Sequence, residues 1–561
     1  MTVSYQNTLF PDDEILRLLF KAARSSKRDI IVDFLSGITA DYTQLLADVI
    51  KTRQRVWTNA KRSTFDDRGL ILPESPYVFL LATSSYLVPV ASFAILSIGA
   101  AICPMSPSLK EADALNSMRK AKSSIMLVDP MDMEHAMSIK AYASSQGENI
   151  SVIPISFLNP RPPTLSHLRI RIDPRWKLDS NQPGLLIMTS GTTGPSKGVI
   201  HARRIFTRAL RYLTNEDVFL CHRSTAWMGG IMPLIAGLCR GVQLEIVTRD
   251  ASVIWERLRT GKVTALRSAP GIWANLMNYY KETISNLTPH VIEQYIRGVQ
   301  NLHSAITSGG YLLPHVRRFW VDEMNLPMSM TYAGTEMGGP AIYRSSLHFP
   351  DEERRVGTPW PDVAVKLSGG DQGEILIKSP TLFLGYLDNS EATKAAFDED
   401  GYFKTGDIGR WQDEEYILMG RTSEFIRYVG HKVPILDVEA YVWKLPYIAE
   451  ACVLSVPSPN NHLTEQRVGI LVRVKVSNEG RGESLCHQHD LTLERLREDL
   501  SHDLPLSMLP TIMHVLRDGE EIPKTLSDKV RRKDAVSKFF PVSGLELSPM
   551  VGKWDAEAFV V

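Results

Sequence analysis

The sequence predicts an α/β protein: a large N-terminal domain of layered α/β subdomains plus a β-rich subdomain, followed by a small mobile α+β C-terminal domain. Three observations carry this. The chain has 561 residues, well beyond the roughly 250–300 at which a single core stops growing. Apolar strand-like runs alternate with helical spacing from residue 28 to about residue 380, the signature of α/β layers. Beyond residue 350 turn residues become dense (Gly357-Thr358-Pro359, Gly369-Gly370, Gly401), as β-rich structure requires.

Each element has a local reason. Residues 125–128, 151–155, 184–188, 243–247 and 304–307 are short apolar runs and read as strands, whereas 252–260 and 271–281 have helical spacing. No charge occurs between Glu74 and Lys110, and a run that long could span a bilayer. The alternative divides it into a strand at 77–82, a Thr83-Ser84-Ser85 cap, a helix at 86–98 stopped by Gly99, and a strand at 101–103. Buried parallel strands are apolar on both faces, so membrane insertion is not expected. A second unit begins near Arg421, with strands at 451–456 and 468–476 and an amphipathic helix at 491–504. The expected boundaries are 1–422, 423–540 and a tail at 541–561.

Sixty-three basic residues balance sixty-three acidic ones, which leaves no electrostatic footprint for nucleic acid or an anionic membrane. The five cysteines are scattered without a CxxC pair, as in a reduced compartment. The N-terminus shows no secretory core and the C-terminus no peroxisomal or prenylation signal, so the expected location is cytoplasmic. Cys486-His487-Gln488-His489-Asp490 offers metal-ligand types in a charged loop, but no second cluster stands at finger spacing.

Thr189-Ser190-Gly191-Thr192-Thr193-Gly194-Pro195-Ser196-Lys197-Gly198 is the most informative stretch. Its glycines let backbone N–H groups turn inward on an anion, its hydroxyls add donors, and Lys197 adds charge. Such a loop suits a polyphosphate, although Ser196 breaks the Walker A pattern. Arg203, Arg204 and Arg208 form with Lys197 a basic patch expected beside nucleotide phosphate.

The loop resembles that of the AMP-forming adenylating superfamily of acyl-CoA synthetases, peptide-synthetase adenylation domains and luciferases. Further segments resemble the same family in order and spacing: Ser308-Gly309-Gly310-Tyr311, Tyr332-Ala333-Gly334-Thr335-Glu336, Val356-Gly357-Thr358-Pro359, residues 401–409, residues 420–430 and Pro523 to Lys529. The resemblance spans roughly residues 30–535 and is closest in feel to acyl-CoA synthetases. It implies ATP-dependent conversion of a small carboxylic acid to an acyl-adenylate, release of pyrophosphate, and transfer to CoA. A carrier protein, amine or hydroxyl is the alternative acceptor, and a non-catalytic nucleotide or acyl sensor with the same fold is the lesser one.

The resemblance also implies roles. Thr189 to Gly194 and Lys197 hold phosphates; Ser308, Gly309 and Gly310 lie along the adenine, on which Tyr332 stacks beside Ala333 and Gly334. Asp407 reaches the ribose hydroxyls, supported by Arg421. Thr335 and Glu336 serve catalysis, with Glu336 as ligand to Mg²⁺, which takes few protein carboxylates plus phosphate oxygens. Lys529 is the catalytic lysine and Lys524 a weaker substitute. Leu526 and Asp528 depart from the family, which often has Arg and nearly always Gly there. Ser423 is the hinge, and Gly430 with His431 lines the CoA tunnel. His222, Trp227, Met228, Gly229 and Ala333 form the acid pocket. Small residues at Ala333-Gly334 favour an acid longer than acetate, and the absence of an Asp at the pocket's start disfavours an α-amino acid.

Overall fold

The computed structural model describes residues 8–158, 164–189, 197–210, 212–347, 354–421, 425–428, 431–457, 466–475, 491–524, 530–541 and 551–553. The charge-free stretch forms strand Tyr77–Leu81, helix Leu87–Leu96 and strand Ala101–Met105, with both strands buried throughout and paired in parallel. Among the described residues no helix is long and apolar enough to cross a membrane. Of the expected Thr83–Ser85 cap, Ser85 meets the helix start, and Asp33 joins it from another strand. Asp33 takes the Tyr86 N–H at 2.9 Å, and Ser85 Oγ takes the Leu87 N–H at 3.3 Å. Gly99, at φ +78°, ends the turn as expected.

These two strands belong to a seven-stranded sheet that also contains the antiparallel pair Pro183–Thr189 and Lys197–Ala202. A thirteen-stranded sheet forms the other wall. Its strands Ile31–Asp33, Gln243–Ile246, Val218–Cys221, Ala265–Ser268, Ser304–Ser308 and Met328–Ala333 are adjacent and parallel. It continues through antiparallel Pro340–Arg344 into the β-rich part that ends at Arg421. Parallel strands direct their C-terminal ends to one edge, where α/β sheets bind ligands.

Arg203, expected in a basic patch, is instead buried. Its Nε donates to Asp13 at 2.7 Å, its Nη2 also reaches that carboxylate, and Nη1 meets the Ala100 carbonyl at 3.3 Å. Asp13 at the same time caps helix Glu14–Ser25. Burying both charges is costly unless they are paired and hydrogen-bonded, and both conditions are met.

Downstream, strands Ile448–Pro457, Gln466–Val474 and Ile512–Val515 form a separate sheet with its own apolar cluster. Val551–Lys553, within the stretch expected as a tail, pairs antiparallel with Ile512–Val515. Arg354 Nη1 donates to Asp437 at 2.7 Å, and His315 stacks on Trp443 with centroids 6.1 Å apart. These contacts seat the downstream unit beside the Ser308–Tyr311 loop.

Helices Ala251–Arg259 and Pro289–Gln300 approach so closely at Gly298 that a β carbon there would lie 2.7 Å from the Leu258 carbonyl carbon. Backbone cannot give way as a side chain can. Gly298→Ala is therefore expected to destabilise the protein by about 1–3 kcal/mol, seen as a lower urea midpoint. An unchanged midpoint would show that the helices separate freely.

Candidate functional site

The parallel strands bring the site together along one edge. Ser308 ends Ser304–Ser308, Tyr332 and Ala333 end Met328–Ala333, Ser268 ends Ala265–Ser268, and His222 follows Val218–Cys221. Gly309, next to Ser308, has φ +88°, a conformation that favours glycine. Gly310 faces Pro270, whose Cγ would lie 3.5 Å from an added β carbon.

At one end of this edge, three side chains converge. The Tyr332 hydroxyl donates to Asp407 Oδ2, and Arg421 Nε donates to Oδ1 at 3.0 Å. Asp407 and Arg421 are cross-strand neighbours, which explains why residues 14 apart meet. Burial, then the Asp407 charge, pushes the Tyr332 phenol well above its ordinary value, so it stays a donor. The carboxylate is thus oriented from two sides.

Thr189 and Lys197 face each other where the phosphate-loop hairpin is described, with Thr189 Oγ1 donating to the Lys197 carbonyl at 3.0 Å. Residues 190–196, which include Ser190, Gly191, Thr192, Thr193 and Gly194, lie outside the described residues, as do Ser423, Gly430 and Lys529. Lys197 Nζ sits 4.8 Å from the centroid of the Tyr386 ring, and the Tyr386 hydroxyl donates to Glu336 Oε1 at 3.1 Å. Tyr386, which sequence reasoning missed, therefore links the loop lysine to the acid that follows Thr335. His431, itself exposed, opens strand His431–Pro434, in which Val433 and Pro434 are buried. Lys524 is engaged by Glu450 at 2.8 Å. Among the described residues no cluster of three or more His, Cys, Asp or Glu is placed to hold a metal; Cys486 to Asp490 lie outside them.

At the other end lies a small cavity. Its lining includes Ser84, His222, Arg223, Gly229 and Arg267, and among the described residues lining it none is acidic. The expected pocket residues Trp227, Met228 and Ala333 lie outside this lining. Trp227 stands at the N-cap position of helix Met228–Leu238 without a side-chain capping bond, and Met228 packs against the apolar core. Nor is the space beside Gly334 open: Met337 Cε would lie 3.3 Å from an added β carbon. His222 is buried, with Nε2 3.1 Å from Ser268 Oγ.

Arg223 and Arg267 were not singled out from the sequence. Arg267 Nε and Nη2 are buried without hydrogen-bond partners. Burial, then Arg267 and Arg249, lowers the Arg223 guanidinium to about 10. Glu245 on the adjacent strand does not neutralise the cavity, because Arg257 binds both its oxygens at 2.9 Å. The charged side chains lining the cavity are thus cationic.

A family model for AMP-binding enzymes matches residues 68–387. The chain is 34% identical over 543 residues to the acyl-CoA ligase oryP of Aspergillus oryzae, covering 95% of this chain and 93% of that protein. It is 26% identical to a malonate–CoA ligase of Arabidopsis thaliana, covering 78% of this chain and 73% of the relative. The ATP-bound MatB structure from Rhodopseudomonas palustris superposes with a TM-score of 0.71 at 18% identity, covering 93% of this chain and 98% of that one.

Burial first, then Arg223, holds the His222 imidazole down to about 3. In the unfolded chain it titrates near 6.5, so acidification protonates the unfolded state first and stability falls below that pH. At pH 5 the loss is about 2 kcal/mol. The stability difference between wild type and His222→Gln, taken from denaturant midpoints, should shrink from pH 7.5 to pH 5. A constant difference would mean that the imidazole titrates in the fold as it does in the unfolded chain.

Proposed function

The chain belongs to the AMP-binding enzyme family and is an AMP-forming CoA ligase, and we propose that the acid it activates carries a second, distal carboxylate. The activity itself converts a carboxylic acid and ATP to an acyl-adenylate and pyrophosphate, then passes the acyl group to CoA. The observation that carries the proposal is the cavity shared by Arg223 and Arg267, with two buried guanidinium nitrogens left without partners. Clustered buried cations are unfavourable until an anion joins them, and guanidinium groups match carboxylates in geometry and charge. That several relatives are malonate–CoA ligases agrees with this reading.

In this reading Asp407, aligned by Tyr332 and Arg421, accepts from the two ribose hydroxyls, and the Ser308–Gly310 loop backs the adenine. Tyr332 has its hydroxyl committed to Asp407, so its ring and not its oxygen is what it offers the base. Thr189 to Gly194 and Lys197 take the departing pyrophosphate. Glu336, held by Tyr386, and the hydroxyl of Thr335 form a hard oxygen set that fits Mg²⁺; when bound, that ion would neutralise phosphate charge. Lys529 stabilises the charge that builds as the acid carboxylate meets the α-phosphate. The unit 423–540 turns at Ser423 so that Gly430 and His431 can receive the pantetheine arm of CoA. A cytoplasmic setting is supported by Cys103, Cys221, Cys239 and Cys452, all buried free thiols.

Pyrophosphate release measured with CoA over matched pairs of mono- and dicarboxylic acids tests the acid class. A dicarboxylate should exceed its monocarboxylate partner by at least about tenfold in kcat/KM, and Arg267→Gln should erase most of that advantage. Equal turnover of both acids by the wild type overturns the proposal. For Lys529→Ala, adenylate formation should fall by about 10²–10³ while CoA still reacts with supplied acyl-adenylate. Undiminished ATP–pyrophosphate exchange in that variant would remove Lys529 from the chemistry.

A further inference from the structure

Two adjacent glycines open helix Met228–Leu238, and they do different things. Gly230 is pinned by backbone: an added β carbon would collide with the Ser224 carbonyl. At Gly229 the obstacle is a side chain. A β carbon there would lie 2.6 Å from Arg223 Cζ and 3.1 Å from its Nε. The backbone of Gly229 is not in the left-handed region, so nothing in its conformation calls for glycine. Alanine is also the better helix former. What glycine provides at this second helical position is the volume that the Arg223 guanidinium occupies.

We infer that Gly229 is a specificity-determining position: the missing β carbon seats the Arg223 guanidinium in the acid cavity, and any side chain there displaces it. The inference rests on the dicarboxylate reading and deepens it. Arg223 follows His222 directly, and the carbonyl of Arg223 is held by Ser84 Oγ at 2.9 Å, so the main chain of the arginine is anchored. Its side chain is the part that can move. On the far side Arg267 is positioned by its own strand and by the Tyr212 ring, 5.7 Å from its Cζ. The Cβ at residue 229 would therefore open one half of a two-guanidinium clamp and leave the other in place. A distal carboxylate would lose one charge-assisted partner, whereas an acid ending in a methyl group has no such partner to lose.

The test compares wild type, Gly229→Ala, Arg223→Gln and the double variant, reading the ratio of kcat/KM for a dicarboxylate over its matched monocarboxylate by pyrophosphate release. Gly229→Ala should lower that ratio by about tenfold or more without lowering the melting temperature. Adding it to Arg223→Gln should change the ratio little, because the glycine acts through the arginine. If Arg223→Gln lowers the ratio and Gly229→Ala does not, the glycine inference fails and the dicarboxylate reading stands. If Arg223→Gln leaves the ratio unchanged, the reading of Arg223 as an acid-binding group fails, and the inference with it. Multiplicative losses in the double variant would show that Gly229 acts independently of Arg223, which also overturns the inference.

Discussion

Parallel backbone pairing is the constraint on which the rest depends. Six adjacent strands, from Ile31–Asp33 to Met328–Ala333, run the same way, so the residues that end them line one edge. Parallel pairing also demands crossovers that cover both faces, which is why helices such as Ala251–Arg259 and Pro289–Gln300 press together until only a glycine fits at residue 298. The order of strands sets the order of chemistry. Tyr332 lies next to the strand of Ser308, which lies next to that of Ser268, which lies next to that preceding His222. The ends proposed for the nucleotide and for the acid are thus set apart by strand order before any side chain is considered.

The proposed nucleotide end was legible in the sequence because its residues sit in short contiguous groups. Tyr332 to Glu336 and Ser308 to Gly310 lie in single loops, and Asp407 meets Arg421 through a hairpin that turns density could anticipate. The strand–helix–strand division of residues 77–105 was legible for a different reason: burial on both faces removes charge altogether. The acid end was not. Arg223 and Arg267 are 44 residues apart in sequence and become neighbours only through the pairing of Val218–Cys221 with Ala265–Ser268. Lone arginines in a sequence look like surface residues. Arg203 misled in the same way: its partner Asp13 lies 190 residues upstream, so a buried pair read as part of an exposed basic patch. Trp227 and Met228, assigned to the acid pocket by the resemblance, lie outside the lining of the Arg223 cavity, since helical geometry turns successive residues to different sides.

Buried charge in the large domain is used in opposite ways. Arg203 and Asp13 neutralise each other and tie helix Glu14–Ser25 to the sheet containing Lys197–Ala202. Glu245 and Arg257 do likewise. Among the described residues lining the cavity of Arg223 and Arg267 none is acidic, and burial, then the Arg267 and Arg249 charges, lowers the Arg223 guanidinium. A fold that pairs Arg203 and Arg257 with carboxylates and leaves two buried Arg267 nitrogens without partners has kept an unfavourable arrangement that a ligand would relieve.

Relief of that repulsion has a consequence for the reaction. A dicarboxylate brings two negative charges towards ATP, and repulsion between anions would slow attack on the α-phosphorus. Neutralising the distal carboxylate at Arg223 and Arg267 removes one of them at a distance from the reacting oxygen. The proximal carboxylate keeps its own charge and hence its nucleophilicity, while the clamp restricts its orientation, a gain in effective concentration. Were the guanidinium groups to bind the proximal carboxylate instead, they would stabilise the ground state and withdraw the electrons that the attack requires. Their position beyond His222, at the opposite end of the strand edge from Tyr332 and Asp407, favours the distal assignment. On the dicarboxylate proposal the cationic cavity selects the acid without taking part in the bond that forms.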